Sequence, residues 1–402
     1  MPSLSAFVLP AARGARGIRI LPEMGDRWRL RPPAAPAGSA PPAAPQSAVP
    51  VRPVSPARRR SPAPIRAAPW KAGTMKILLT DTGYIDPSLI RDAGHDVVLF
   101  DETAPVPAEH RDAEGLVLWG GGGSGSAEVL ADMPGYLTRL RWIQTLAAGP
   151  DNVLAAGFPT SVAITSGRHF HDRTVAEHAA ALALGCVRNL PTAVRAADRH
   201  EWEPTLGGAH PIHDPDRLTT LLRARVLVWG FGAIGIATAQ LLTAFGANVR
   251  GVARSAGQRA GFEVIAVDDV ESALPWTDLL VMVLPSTPQT AGALNAERLA
   301  LLPRRAVVVN VGRGATVDQA ALEAALRSGA ISAAGLDVTD PEPLPADSTL
   351  WDAPNLLLTP HAAGGRVVGA VERIIANAAA VDATPTGEPI TGLEAQIPRP
   401  SR

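Results

Sequence analysis

VLVWGFGAIGIATAQLLTAFGANVRGVARS, residues 226–255, is the stretch that decides the fold. A strand-like apolar run ends at Gly230. The glycines then fall as Gly230-x-Gly232-x-x-Gly235, and a helical stretch follows. In a βαβ unit the first glycine permits a tight turn. The second lets backbone approach a pyrophosphate, and the third lets helix and strand pack closely. A helix opening with Ala233 and Ile234 aims its partial positive end at those phosphates. A lone G-x-G-x-x-G carries little weight, but this one lies between a strand and a helix. We therefore expect a dinucleotide at residues 230–235.

The second half of the stretch breaks the pattern. An acid should close the next strand, about 20 residues on, to hold the adenosine ribose diol. Counting from Gly235, the position falls at Ala253, and Arg254 and Ser255 come next. A carboxylate there would repel a 2′-phosphate. A guanidinium fork and a hydroxyl would bind one. This strand end predicts NADP(H) over NAD(H). The alternative is that Arg254 stacks on the adenine face of a bound NAD.

Outward from this unit, apolar runs recur in an α/β rhythm. Upstream, strands are expected at 76–80, 96–100, 115–119, 141–146 and 161–165, with short helices between. A long helix follows from Thr174, broken near Pro191. Downstream, strands are expected at 225–229, 248–253, 264–267, 278–284, 306–311, 332–338 and 355–359, with helices at 233–245 and 318–328 and a last one at about 365–380. Strands alternating with helices build parallel sheets. The expected fold class is α/β: two doubly wound parallel-sheet domains, Rossmann-like and flavodoxin-like, with a cleft between them.

The first 74 residues obey different physics. They hold 15 of the 38 prolines and 12 Lys/Arg against 2 Asp/Glu. Such a segment buries too little apolar surface to offset its chain entropy, so it reads as a disordered tail. Because Met75 opens a clean strand, it reads as the true start and the tail as a mis-called one. A basic tail binding something anionic is the lesser alternative. The rest of the chain carries about −11, which argues against nucleic acid as a partner of the folded part. No apolar run is long enough to span a bilayer. The one cysteine, Cys186, lies in an apolar helical run and reads as a small core residue; with no disulfide possible, a reducing, cytoplasmic setting is expected.

Two further stretches put polar residues directly after apolar strands, where sites of open α/β sheets lie. Arg313 follows the run 306–311, Glu342 follows 332–338, and His361 follows 355–359. Their chemistry is complementary. A cation can bind a carboxylate and polarise a neighbouring carbonyl. Histidine side chains titrate near neutral pH and so can give and take a proton. A glutamate bonded to the imidazole would fix its tautomer. Taken singly, Arg313 could be a structural ion-pair partner, Glu342 a solvated loop residue and His361 a turn residue.

Together with LRWIQTLAAGPDNV, TVAEHAAALAL, GFGAIG, LPSTPQT, NVGRGATVD, GLDV, PEPLP and NLLLTPHAAGG, this arrangement resembles the D-isomer-specific 2-hydroxyacid dehydrogenase family. The resemblance covers about residues 76–385. It implies that Arg313 binds the substrate carboxylate and keto oxygen, that Glu342 partners the catalytic histidine, and that His361 is the acid/base. It implies cofactor contacts at Thr287, Val311, Asp337, Ala363 and Gly364. It also implies that backbone N–H groups of the smaller domain, at Trp119, Gly120 and Gly121, meet the substrate carboxylate, as an anion nest can. The domain expectation follows: residues 75–172 and 362–390 bind substrate, 173–361 bind the dinucleotide, and 391–402 form a flexible C-terminus. A homodimer is implied, and the substrate would be a small 2-hydroxy or 2-keto acid such as glyoxylate or hydroxypyruvate.

Some features depart from the family pattern. The strand-end acid is missing. Pro150 has no N–H where one is expected. The segment 203–222 is unusually long, and its His210 and His213 read as surface residues, not metal ligands; no metal is expected. Formate dehydrogenase shares the fold but has Gln where Glu342 stands. A phosphoglycerate dehydrogenase with a regulatory module is not expected, since no such module follows residue 385. The alternative from another class is a dinucleotide-sensing, corepressor-like binding protein.

Overall fold

The computed structural model describes residues 75–120, 126–212 and 214–398. The expected disordered tail, residues 1–74, lies outside them, as do Gly121 and His213.

Two sheets carry the chain. Strands β1 (Lys76–Thr80), β2 (Asp96–Phe100), β3 (Gly115–Leu118), β4 (Trp142–Thr145) and β5 (Ala163–Thr165) form the first, ordered β2-β1-β3-β4-β5. All its pairs are parallel. Its helices are α1 (Pro87–Asp92), α2 (Ser126–Tyr136) and α3 (Asp151–Ala155). The chain then crosses over through α4 (Asp172–Val187) and α5 (Leu190–Asp198). The second sheet holds β6 (Arg225–Trp229), β7 (Asn248–Ala253), β8 (Gly257–Arg259), β9 (Phe262–Ala266), β10 (Leu279–Met282), β11 (Val307–Asn310), β12 (Ala333–Leu336) and β13 (Leu356–Leu358). Its order is β13-β12-β11-β10-β6-β7-β9-β8, parallel except for the β8–β9 pair. Helices α6 (Ala233–Ala244), α7 (Val270–Ala273), α8 (Ala296–Ala300) and α9 (Gln319–Ser328) belong to it, and α10 (Ala370–Asp382) returns to the first sheet.

Period-two alternation sends neighbouring strand residues to opposite faces. Leu78, Leu116, Leu118 and Ile143 enter one core beneath the first sheet, while Ile77, Leu79, Val117 and Trp142 enter the other with Ile374 and Ala378 of α10. In the second sheet Val226, Val228, Val281 and Val309 pack on α4, whereas Leu227, Trp229, Leu280 and Val308 face the opposite side. Buried on both faces, these strands have to read as unbroken apolar runs. Cys186 is buried in the α4 layer, and burial pushes its thiol up to about 12.

Several expectations needed adjusting. The long helix breaks at Asn189, which is left-handed (φ 55°), and Pro191 sits in the first turn of α5, where its missing N–H costs nothing. The last helix starts at Ala370, not near 365, because Gly369 (φ 78°) turns the chain just before it. The C-terminal stretch expected to be flexible is tied down over its described part. Ser166 N–H donates to Ala395 O (3.0 Å) and Ile397 N–H to Ile164 O (2.8 Å), so these residues cover the free edge of β5. Glu394 N–H also donates to Asn377 Oδ1 (2.8 Å) of α10.

Candidate active site

The first sheet reverses its winding between β1 and β3, and the second between β6 and β10. Ligands of such sheets sit beyond the strand ends at these switch points.

At the second switch point the three glycines do three different things. Gly230 has φ +104°, and a Cβ on it would stand 2.4 Å from the Val283 carbonyl oxygen. A Cβ on Gly235 would stand 2.4 Å from the Gly230 oxygen, so this position lets α6 lie close to β6. A Cβ on Gly232 would meet nothing within 4 Å. No protein packing requires a glycine there, which leaves space for a ligand against bare backbone. Gly232 also caps α6 without a side-chain hydrogen bond, and Ala233 and Ile234 open the helix. This end of the helix fits a pyrophosphate on both counts.

Arg254 and Ser255 are exposed just past β7. The sequence reading missed a third group beside them. Arg259, on β8, donates through Nη2 to Ser255 Oγ (3.1 Å) and Ser255 O (3.2 Å), and through Nη1 to Phe231 O (3.3 Å). Two arginines and a hydroxyl thus belong to one strand end, with the Arg259 guanidinium placed on Ser255. The nearby acid Glu263 is paired with Arg250 at 3.1 Å.

Arg313 follows β11 with Gly312 and Gly314 on either side. A Cβ on Gly312 would lie 2.5 Å from Leu284 O, and one on Gly314 1.9 Å from Thr339 O. The first approach seats the Arg313 turn against the end of β10, and the second presses it onto the loop that carries Glu342. Asn310 Nδ2 and Thr316 Oγ1 both donate to Arg313 O (3.1 and 2.7 Å), fixing the backbone. The guanidinium reaches the first domain: a Cβ on Gly149 would stand 2.6 Å from Arg313 Nη2. Ser286, Arg313, Thr339 and Glu342 line a cleft of about 210 Å³.

Glu342 Oε2 lies 2.8 Å from His361 Nδ1, and its Oε1 accepts Thr339 N–H (3.0 Å). Burial pushes this carboxyl up. The His361 hydrogen bond, the Thr339 N–H and the charges of His361 and Arg313 outweigh it and hold the carboxyl below its usual range. His361 is left-handed (φ 52°), unusual for a residue with a side chain. Its N–H donates to Asp337 O (2.8 Å) and Thr359 O (3.0 Å), which hold it there.

Asp337 is almost fully buried, and its carboxylate is already engaged. It accepts Ala362 N–H (2.8 Å), Ala363 N–H (3.0 Å) and Thr359 Oγ1–H (2.6 Å). His178 Nε2 of α4 stands 3.2 Å from it. Asp337 therefore shapes the turn after β13 and so aims His361. Thr287 N–H donates to Thr290 Oγ1 (2.9 Å) in the loop after β10. Val311 is buried at the end of β11, with its N–H on Met282 O (3.1 Å), and Gly364 lies beside the His171 ring.

Of the expected substrate contacts in the small domain, Trp119 and Gly120 follow β3 at the first switch point. Their N–H groups are not free. Trp119 N–H donates to Glu102 Oε1, and Gly120 N–H to Glu102 Oε2 at 3.5 Å. The sequence reading missed Glu102, although an acid just past β2 is a readable signal. It also missed His171, whose Nε2 lies 2.8 Å from Leu146 O and whose ring meets Trp119 edge-on at 5.8 Å. Pro150 caps the N-terminus of α3. No cluster of three metal-binding side chains occurs among the described residues, and no described helix is long and apolar enough to cross a membrane.

Residues 180–363 match the family profile described as D-isomer specific 2-hydroxyacid dehydrogenase, NAD binding domain. The chain is 34% identical to D-3-phosphoglycerate dehydrogenase of Mycobacterium tuberculosis over 240 residues, 58% of this chain but only 42% of that protein. It thus spans less than half the length of that relative. It is 32% identical over 295 residues to glyoxylate/hydroxypyruvate reductase A of Serratia proteamaculans, covering 70% of this chain and 87% of the relative. Among solved structures, a D-isomer specific 2-hydroxyacid dehydrogenase from Xanthobacter autotrophicus Py2, in complex with NADPH and MES, superposes with a TM-score of 0.61. It is 31% identical, and the match covers 82% of this chain and 98% of that one.

Proposed function

Because the chain belongs to the D-isomer-specific 2-hydroxyacid dehydrogenase family, we propose that it reduces small 2-keto acids such as glyoxylate or hydroxypyruvate, with NADP(H) preferred over NAD(H). The observation that carries this reading is the 2.8 Å contact between Glu342 and His361 on the same loop system as Arg313.

In this reading the bound nicotinamide supplies the hydride. Arg313 binds the substrate carboxylate and polarises the keto oxygen with its planar fork. His361 keeps its Nδ1 proton on Glu342, which leaves Nε2 to deliver a proton to the forming alkoxide and to take it back in the reverse direction. Glu342, held ionised below its usual range, stabilises the imidazolium between turnovers. Asp337 aims the histidine through the turn it caps. Arg254, Ser255 and Arg259 hold the 2′-phosphate, and Gly232 lets the pyrophosphate approach backbone. Closing of the cleft between the two sheets excludes water from the hydride path.

The test is consumption of NADPH and NADH by the purified protein with glyoxylate, hydroxypyruvate and a panel of other 2-keto acids. Turnover with NADPH favoured supports the reading. Dinucleotide binding with no turnover on any acid overturns it and points to a binding protein of the same fold.

A further inference from the structure

At the end of β3, a carboxylate from this chain sits on two successive backbone N–H groups. The site is built from both sides. On the acid's side, Asp101 Oδ1 accepts Thr103 N–H (2.8 Å) and Thr103 Oγ1–H (2.7 Å). That turn fixes the chain just past β2 and leaves the next side chain, Glu102, half-buried and directed at the end of β3. On the donors' side, the successive N–H groups of Trp119 and Gly120, just past β3, both point at Glu102. Asn152 Nδ2 of α3 donates to Gly120 O (3.0 Å), and the Trp119 ring rests edge-on against His171. The two oxygens of Glu102 take the two N–H groups, one each. Such an N–H pair at a strand end is an anion site.

The pair also lies one loop away from Arg313. Ala147 N–H donates to Trp119 O (3.2 Å), and two residues on, a Cβ on Gly149 would stand 2.6 Å from Arg313 Nη2, so the guanidinium lies beside this turn. A small 2-keto acid bound to Arg313 would therefore present its carboxylate to donors that already hold one.

We infer that Glu102 is an internal carboxylate competitor: it occupies the Trp119–Gly120 anion site, and the carboxylate of an incoming substrate must displace it. This rests on the 2-keto acid reading above. Glu102 is then a specificity-determining residue. It weakens binding of small monocarboxylates and sets their KM, whereas it touches neither the hydride path nor the proton donor. The exchange replaces two hydrogen bonds to a carboxylate with two others, so its barrier is conformational, and Glu102 swings out toward solvent.

The test is calorimetric titration of oxamate, a non-reacting 2-keto acid analogue, onto the full chain with saturating NADPH. Wild type is compared with Glu102→Gln, which keeps the shape and removes the charge, and with Glu102→Ala, which empties the site. The inference expects oxamate to bind both variants at least tenfold more tightly than wild type. It also expects the amide resonances of Trp119 and Gly120 to shift on oxamate addition. Affinities equal within twofold in all three folded proteins, weaker binding to the variants, or no oxamate binding at all would overturn it. The two readings can fail separately. Tighter oxamate binding without turnover of any 2-keto acid would sink the reductase and leave the exchange standing. Normal turnover with unchanged oxamate affinity would do the reverse.

Discussion

Glu342 Oε2 stands 2.8 Å from Nδ1 of His361, and the histidine is held in a left-handed backbone conformation by its own N–H on Asp337 O. The carboxylate and the backbone together leave one imidazole nitrogen for chemistry. Replacing His361 by Ala is expected to lower kcat by about 10²–10⁴-fold, the usual worth of a positioned acid/base. Glu342→Gln should lower it by roughly 10–10²-fold, because an amide can still touch Nδ1 but does not stabilise the imidazolium. Dinucleotide affinity should stay within about threefold in both. Steady-state kinetics with cofactor titration checks this. Lost cofactor binding in His361→Ala would mark the residue as part of the scaffold.

The β7 end predicts an asymmetric response to the two cofactors. Arg254→Ala removes an exposed guanidinium with no partner at hydrogen-bond distance among the described residues, and Arg259→Ala removes the one that braces Ser255. Each charged hydrogen bond to phosphate is worth about 1.5–3 kcal/mol, so NADPH affinity should fall by roughly 10–100-fold in either variant, while NADH affinity changes little. Fluorescence titrations with both cofactors decide the matter. Equal losses for NADPH and NADH would remove the 2′-phosphate explanation of this strand end.

That corner also shows where sequence reading stops. Strands 76–80 and 225–229 could be read to the residue, since parallel strands buried on both faces appear as apolar runs bounded by turn residues. The half-exposed strands 96–100 and 248–253 could be read as well, from their β-branched and apolar content. The run 278–284 was read too long, because Asp278 is a buried acid clamped by Arg225 (2.9 Å) and Arg305 (2.8 Å), and Val283 and Leu284 already turn against Gly230 and Gly312. The hairpin carrying Arg259 is signalled only in its β9 half, at 264–267, and not in β8. Its turn residues Ala260 and Gly261 both have positive φ (51° and 87°), yet Ala-Gly is not the Asn-Gly or Asp-Gly signal of such turns. Arg313, Glu342 and His361 were legible because each directly follows an apolar strand at the cleft. Glu102 could be noticed as an acid just past β2, but nothing in the sequence says that its carboxylate folds back onto the end of a different strand.

Two glycines beside the site make opposite predictions. Gly314→Ala would drive a Cβ to 1.9 Å from the Thr339 carbonyl oxygen, backbone against backbone. It should cost about 3 kcal/mol or more and push Arg313 away from the Glu342 loop, so stability and activity fall together. Gly232→Ala adds a Cβ that meets no protein atom within 4 Å, at a φ of −93° that alanine accepts. Its stability should change by less than about 0.5 kcal/mol while dinucleotide affinity drops by at least roughly tenfold, since the methyl fills the pyrophosphate space. Thermal melts and cofactor titrations of the two variants separate a packing glycine from a binding one. A melting loss in Gly232→Ala comparable to that in Gly314→Ala would contradict the distinction.

Asp382, at the C-terminal end of α10, makes stability depend on pH. Burial raises its carboxyl to about 6 and the charge of Glu114 adds to the rise, while Arg141 opposes it. His95 Nδ1 is 3.5 Å away without a hydrogen bond, and burial keeps that imidazole below its usual range, so it offers little charge in return. Since the folded value exceeds the unfolded one near 4, the folded chain holds a proton that the unfolded chain has released between those values. This contribution to stability is full below about pH 4, is lost as pH rises toward 6, and stays lost above it. Asp382→Asn keeps the neutral form at every pH. Relative to wild type it should gain about 1–2 kcal/mol at pH 8, below the full linkage value of about 3 kcal/mol because the carboxyl keeps some contact with water, and close to nothing at pH 4. Comparing the two proteins by urea unfolding at both pH values largely removes the other titrating groups. A gain of the same size at pH 4 and pH 8 would show that the variant acts through packing and not through the buried charge.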